Sequence, residues 1–138
     1  MTLQPAVLYP DAEQVVIDYL RTQLGQRSEP FLSGLILGNF VPSPRPDRFL
    51  KVRRSGGIST APTVSKPRID IEAWAITWAD AQDIAALSHA LIYTMQNRTP
   101  VRSVTEFLGL TPIQDPLSNQ PRYLFTLELA MRGAPVTL

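Results

Sequence analysis

The chain contains no cysteine. That absence excludes disulfide staples, thiolate nucleophiles and zinc–thiolate sites, and it is compatible with a reducing cytoplasm without requiring one. Histidine is almost as scarce. His89 stands alone, and one imidazole with no cysteine is a poor start for a metal site. No apolar run approaches the ~18 residues of a spanning helix. Met1-Thr2-Leu3-Gln4-Pro5 has neither the basic region nor the apolar stretch of a signal peptide. A protein with no membrane association is therefore expected. Gly56-Gly57 has no further glycines at the spacing of a phosphate loop, and the serines lie in no nucleophile elbow.

What is present suits one domain over residues 1–138. A chain of this length buries roughly 68–70% of its unfolded surface, enough for one hydrophobic core. Hydrophobic residues make up 44% and charged residues 18%, a balance that leans toward hiding surface against partners. Net charge is +1, but seven bases (Arg45, Arg48, Lys51, Arg53, Arg54, Lys66, Arg68) fall between residues 45 and 68 against one acid, Asp47. A basic segment opposite an acidic remainder suits head-to-tail association or an acidic neighbour; a solvated strand and loop would also account for it.

The patterning predicts an α+β fold. Residues 1–9 read as a loose arm. Pro10 and Asp11 open a helix at about 11–24, with Ala12, Val16, Tyr19 and Leu24 on its apolar stripe and Gly25 as a stop. Phe31–Phe40 reads as a bent strand, Pro42, Pro44 and Pro46 as an extended connection, and Arg48–Arg54 as a second strand. Ser55-Gly56-Gly57 breaks that strand, so 55–66 is expected to be a mobile loop. In Arg68–Ala75, Ile69, Ile71, Ala73 and Ala75 share one face, and Arg68, Asp70, Glu72 and Trp74 the other. Trp78–Gln96 is the strongest helix, capped by Thr77 or Asp80. Val101–Leu108 and Pro121–Arg132 read as strands joined by a loop at 111–121. The expected architecture is a largely antiparallel sheet of four to five strands with two helices on one side.

Few residues suggest chemistry. His89 lies round the second helix from the apolar stripe and is expected on an exposed flank. Asp70 and Glu72 share a face with Arg68, the pattern of a cross-strand ion-pair surface. Asp80 and Asp83 fit helix capping. No catalytic, metal-binding or cofactor-binding residue is expected. Trp74, on the polar face, either anchors a subunit contact or covers the far side of the sheet. The near-neutral charge and the missing recognition motif speak against sequence-specific DNA reading.

The order of features resembles the tail terminator family of siphovirus-type bacteriophages, particularly those infecting actinobacteria. The resemblance is carried by the helix PDAEQVVIDYLRTQLG, the strand PRIDIEAWA leading into DAQDIAALSHALIYTM, the strand VRSVTEFLGL, and QDPLSNQPRY running into YLFTLELAMRG. These span about residues 10–133, with Asp115-Pro116 and Pro121-Arg122-Tyr123 the most distinctive piece. The resemblance implies a non-enzymatic subunit of a virion tail or neck, assembled in the host cytoplasm. Its partners would be further copies in a homohexameric ring, the major tail-tube protein below, and the head–tail connector or stopper above. Genomic DNA would pass the lumen without sequence-specific binding. No cofactor is implied. The candidate subunit or partner interface is Arg45, Arg48, Lys51, Arg53, Arg54, Arg68 and Trp74, with Asp115 and Arg122 from the distinctive segment. Asp18, Glu29, Asp83 and Glu106 are the candidate acidic counterparts. Another neck or tail-completion protein of related fold, a host adaptor binding through Pro42–Pro46, and a small hydrolase remain as alternatives.

Overall fold

The computed structural model describes residues 6–61 and 63–136. Elements run β1 (Val7–Leu8), α1 (Ala12–Gly25), a 3₁₀ turn (Pro30–Leu32), β2 (Ile36–Gly38), β3 (Phe49–Ala61), β4 (Val64–Trp74), α2 (Trp78–Tyr93), β5 (Val101–Gln114), β6 (Pro121–Arg132) and β7 (Ala134–Pro135). The main sheet has the order β2-β3-β4-β6-β5; all its pairings are antiparallel except the short β2–β3 pair. This is a single α+β domain.

Alternation decides which face of the sheet is covered. Leu50 and Val52 of β3, Ile69, Ile71 and Ala73 of β4, and Phe125, Leu127, Leu129 and Met131 of β6 all point to one side. There they meet Val16, Ile17 and Leu20 of α1 and Ala81, Ile84, Ala85 and Ile92 of α2 in one continuous core. Each fully buried aliphatic or aromatic side chain contributes roughly 1.5–3 kcal/mol. Asp11 accepts a hydrogen bond from the Gln14 amide and starts α1; Thr77 accepts one from the Asp80 amide and starts α2. Neither helix is long and apolar enough to cross a membrane.

Several expectations need correction. The 55–66 segment is no loose loop, because β3 and β4 form one long hairpin through it; Pro62 lies outside the described residues. Gly56 (φ 97°) and Gly57 (φ 108°) absorb a register shift between Arg54 and Gly57, so the glycine pair bends the strand instead of ending it. The 111–121 loop shrinks to a turn, since β5 continues to Gln114. Phe31–Phe40 holds a 3₁₀ turn and a three-residue strand, because Gly34 (φ 70°) turns the chain between them. Of the expected arm, Val7 and Leu8 pair with Pro135 and Ala134, while residues 1–5 lie outside the described residues. The second helix ends at Tyr93, three residues before Gln96, and continues as turns.

Gly57 is the most constrained glycine. A Cβ there would stand 2.2 Å from the Lys66 carbonyl oxygen and 2.7 Å from the Pro67 Cα, both backbone atoms. Gly57→Ala is therefore expected to destabilise the fold by about 2 kcal/mol or more, through strain at positive φ plus the clash. Gly25→Ala, at the end of α1 with nothing within 4 Å, should be neutral or stabilising by up to about 1 kcal/mol. Urea midpoints of the two variants check the contrast.

Candidate functional site

Among the described residues, the sheet face turned away from the helices has no second layer over it. Its alternate positions place Lys51 opposite Glu72, Arg53 opposite Asp70 and Trp74 opposite Arg122. Lys51 Nζ and Arg122 Nη1 each lie 3.5 Å from a Glu72 carboxylate oxygen. Arg68 pairs loosely with Glu128 at 3.8 Å, and its guanidinium lies 3.9 Å from the Phe107 ring centre. Asp70 accepts hydrogen bonds from the Thr126 hydroxyl (2.6 Å) and the Ser55 hydroxyl (3.2 Å). An uncovered sheet face is stable in water when charges of opposite sign face each other across strands, as they do here.

At the loop end of this face the charges close over Trp74. Its indole stacks on Phe49 at 5.3 Å. The charged ends of Arg45, Arg122 and Lys51 stand 5.6, 5.6 and 5.9 Å from its ring. Trp74 is consequently only 2% exposed, so it covers the far side of the sheet within its own chain and offers no free anchor to a neighbour. Its Nε1 has no hydrogen-bond partner among the described residues.

Asp115 organises the adjoining turn. Its carboxylate accepts hydrogen bonds from the Ser118 hydroxyl (2.5 Å) and the Ser118 amide (3.1 Å), while Arg45 approaches to 3.6 Å. The carboxyl is held below its ordinary value, first by the Ser118 hydroxyl; burial opposes this, and the Ser118 amide and the charges of Arg45 and Arg122 reinforce it. The proline-rich connection and the β5–β6 turn are thereby tied together, with the Gln120 side-chain amide also donating to the Asp47 carbonyl at 3.2 Å.

The structure thus brings Arg45, Lys51, Trp74, Asp115 and Arg122 into one cluster, with Arg68 farther along the same face. It does not bring Arg48, Arg53 and Arg54 there. Arg48 donates to Asp80 and to the Ser33 carbonyl, fastening the segment before β2 to the start of α2. Arg53 and Arg54 sit at the outer edge of β3, where the Arg54 amide donates to Glu13 Oε2 at 2.9 Å and Arg53 lies 3.9 Å from the same oxygen. Glu13 so caps an otherwise open sheet edge.

Two further expectations change. Most of the basic segment finds its acid inside the chain: Arg45–Asp115, Arg48–Asp80, Lys51–Glu72, Arg53–Glu13 and Arg68–Glu128. Of the acids expected to face a neighbour, Asp18 pairs with Arg21, Glu29 with Arg27, and Glu106 with His89. Charge alone therefore leaves little for a second copy to complement. His89 is not on an exposed flank. Its ring lies half-buried between Phe125 and Tyr93, with Nε2 2.9 Å from Glu106 Oε1 on β5. Burial, and after it the Glu106 carboxylate, push the Tyr93 hydroxyl above its ordinary value.

Exposed apolar side chains are what sequence patterning missed. Ile36 on β2 and Ile58 on β3 stand at one margin of the sheet, with Ile58 68% exposed. Phe107 and Leu108 on β5 stand at the opposite margin, with Phe107 56% exposed, where β5 shifts register on both sides of Leu108. Ile76, Trp78 and Leu117 lie at the loop end, the last 91% exposed. Alternation continued from Leu50 and Val52 would bury Ile58; the register shift at Gly56-Gly57 turns it out beside Lys66, and such shifts, like the one at Phe107, leave no periodic signal.

Among the described residues no group of three or more histidine, aspartate or glutamate side chains is arranged to hold a metal ion. Compared with protein-family models and with curated proteins, the chain matches none.

The lowered Asp115 value gives a signed prediction. A carboxyl whose folded pKa lies below its unfolded one stabilises the fold above the unfolded value and loses that contribution as pH falls through the folded value. The Ser118 amide resonance should therefore titrate with a midpoint below the ordinary 3.8. Asp115→Ala should cost about 1–3 kcal/mol in urea unfolding and speed proteolysis within 115–120.

Proposed function

We propose that this chain is a structural subunit of a siphovirus-type phage tail, a terminator that forms a ring on the end of the tail tube, stops its growth and joins it to the head–tail connector. The supporting observation is that unlike exposed apolar side chains occupy opposite margins of one sheet: Ile58 on β3 at one margin, with Ile36 on β2 farther along it, and Phe107 and Leu108 on β5 at the other. A contact between two different patches of the same chain is heterologous, and such contacts close into rings when the rotation allows. Burial of apolar side chains supplies the association energy, while the charged face between the patches sets register more than affinity. The third patch, Ile76, Trp78 and Leu117, lies at the end of the sheet and would meet a different neighbour, above or below the ring.

In this reading nothing is turned over. The Trp74 cluster and the Asp115 turn keep the end loops rigid, so that the apolar side chains beside them are presented in one arrangement, which lowers the ordering cost of association.

Phage tails assembled without this protein should be overlong or headless by electron microscopy. Purified protein added to polymerising tail-tube subunits should stop elongation, and Phe107→Asp should abolish the stop while leaving the thermal midpoint within a few degrees. Tails of normal length joined to heads in its absence would reject the proposal.

A further inference from the structure

At the hairpin end of the open sheet face the charge arrangement differs from everything described above. Lys66, Arg102 and Arg132 have no side-chain hydrogen bond or ion pair among the described residues. These three nevertheless line one shallow groove of about 520 Å³, together with Val64, Asn97, Ser103 and Ala130. No acid lines it.

The pairing explains the convergence. Val64 lies opposite Arg132, and Ser103 opposite Ala130, so β4, β6 and β5 carry the groove side by side on the uncovered face. Arg102 is the extra residue where the β5 register shifts between Val101 and Ser103. Asn97, at φ 65°, turns the chain out of the α2 end and supplies a polar wall. Ala130 and Ser103 are short, so long cationic side chains stand around a low floor. Three unpaired positive charges repel one another there, and a bound polyanion relieves that repulsion.

The nature of the polyanion follows from what surrounds the groove. Among the described residues no aromatic, leucine or isoleucine side chain lines it, so they give it none of the buried anchors on which protein contacts depend. A second copy has no acidic cluster to offer. Among the described residues, Asp47 and Asp83 are the only carboxylates without a hydrogen bond or ion pair, and they lie on separate elements. A phosphodiester chain carries regularly spaced charge and needs no apolar anchor. We propose that the groove of Lys66, Arg102 and Arg132 binds the phosphate backbone of nucleic acid without regard to base sequence. This goes beyond the capping role and stands or falls separately from it.

The test is anisotropy of a short labelled DNA duplex of mixed sequence with the full chain. Three phosphate contacts give a log–log salt slope of about −2.7, or about a 40-fold loss of affinity between 50 and 200 mM salt. The variant Lys66→Ala, Arg102→Ala, Arg132→Ala should bind at least about tenfold more weakly at 50 mM salt, with a flattened slope. A charge-matched control, Arg21→Ala, Arg27→Ala, Arg53→Ala, should stay within about twofold of the parent, and the melting temperatures of both confirm folding. Equal losses in the two variants, no loss in the first, or tighter binding of a polyglutamate peptide than of DNA would each overturn the proposal.

Discussion

A five-stranded sheet has two faces, and the two helices of this chain reach only one of them. The covered face can be apolar throughout, and it is: Leu50, Val52, Ile69, Ile71, Phe125, Leu127 and Leu129 are each no more than about 1% exposed. The uncovered face must be stable against water on its own. It achieves this with Lys51–Glu72–Arg122, Arg68–Glu128 and the Asp70–Thr126 hydrogen bond, all drawn across strands. Half-exposed, loosely spaced pairs of this kind contribute on the order of 0–1 kcal/mol each, so their value lies in compatibility with water and in register more than in stability.

The same constraint governs the sheet margins. An unpaired strand edge invites indiscriminate pairing with other chains. β3 meets this with the Gly56–Gly57 bend and with Glu13 capping the Arg54 amide; β5 meets it with three register shifts and Pro112. Backbone pairing between copies is discouraged on both sides. In the proposed ring, association falls to side chains, and the large apolar ones exposed at the margins differ from one side to the other. Geometry of that kind favours ordered head-to-tail contact over open-ended strand addition.

Much of the fold was legible in the amino-acid pattern. Alternation in Arg68–Ala75 assigned the buried parity of the central strand, and the glycine- and proline-free run from Trp78 located the second helix to within three residues of its end. What failed has physical reasons. Gly56-Gly57 is a breaker by composition, yet a hairpin already paired on its other side accommodates it as a bend. Trp74 sits on the polar parity, and nothing local reveals that Arg45, from a loop far away in the chain, would fold over it. The candidate interface was half legible: Arg45, Lys51, Trp74, Asp115 and Arg122 do converge, but as an internal clasp whose charges are answered at home. Arg102 and Arg132 went unnoticed because they are joined to Lys66 only by the sheet register.

The central claim is that one margin of this sheet meets the opposite margin of the next copy. A chain without native cysteine is well suited to testing it, because an introduced pair reports on itself alone. Ile58→Cys and Phe107→Cys in one chain, treated with a short bismaleimide, should yield a ladder that ends at a closed multiple of one chain's mass, while neither single variant forms a ladder. Self-linking of Ile58→Cys alone, or no linkage of the double variant at any concentration or beside tail-tube rings, would contradict the account.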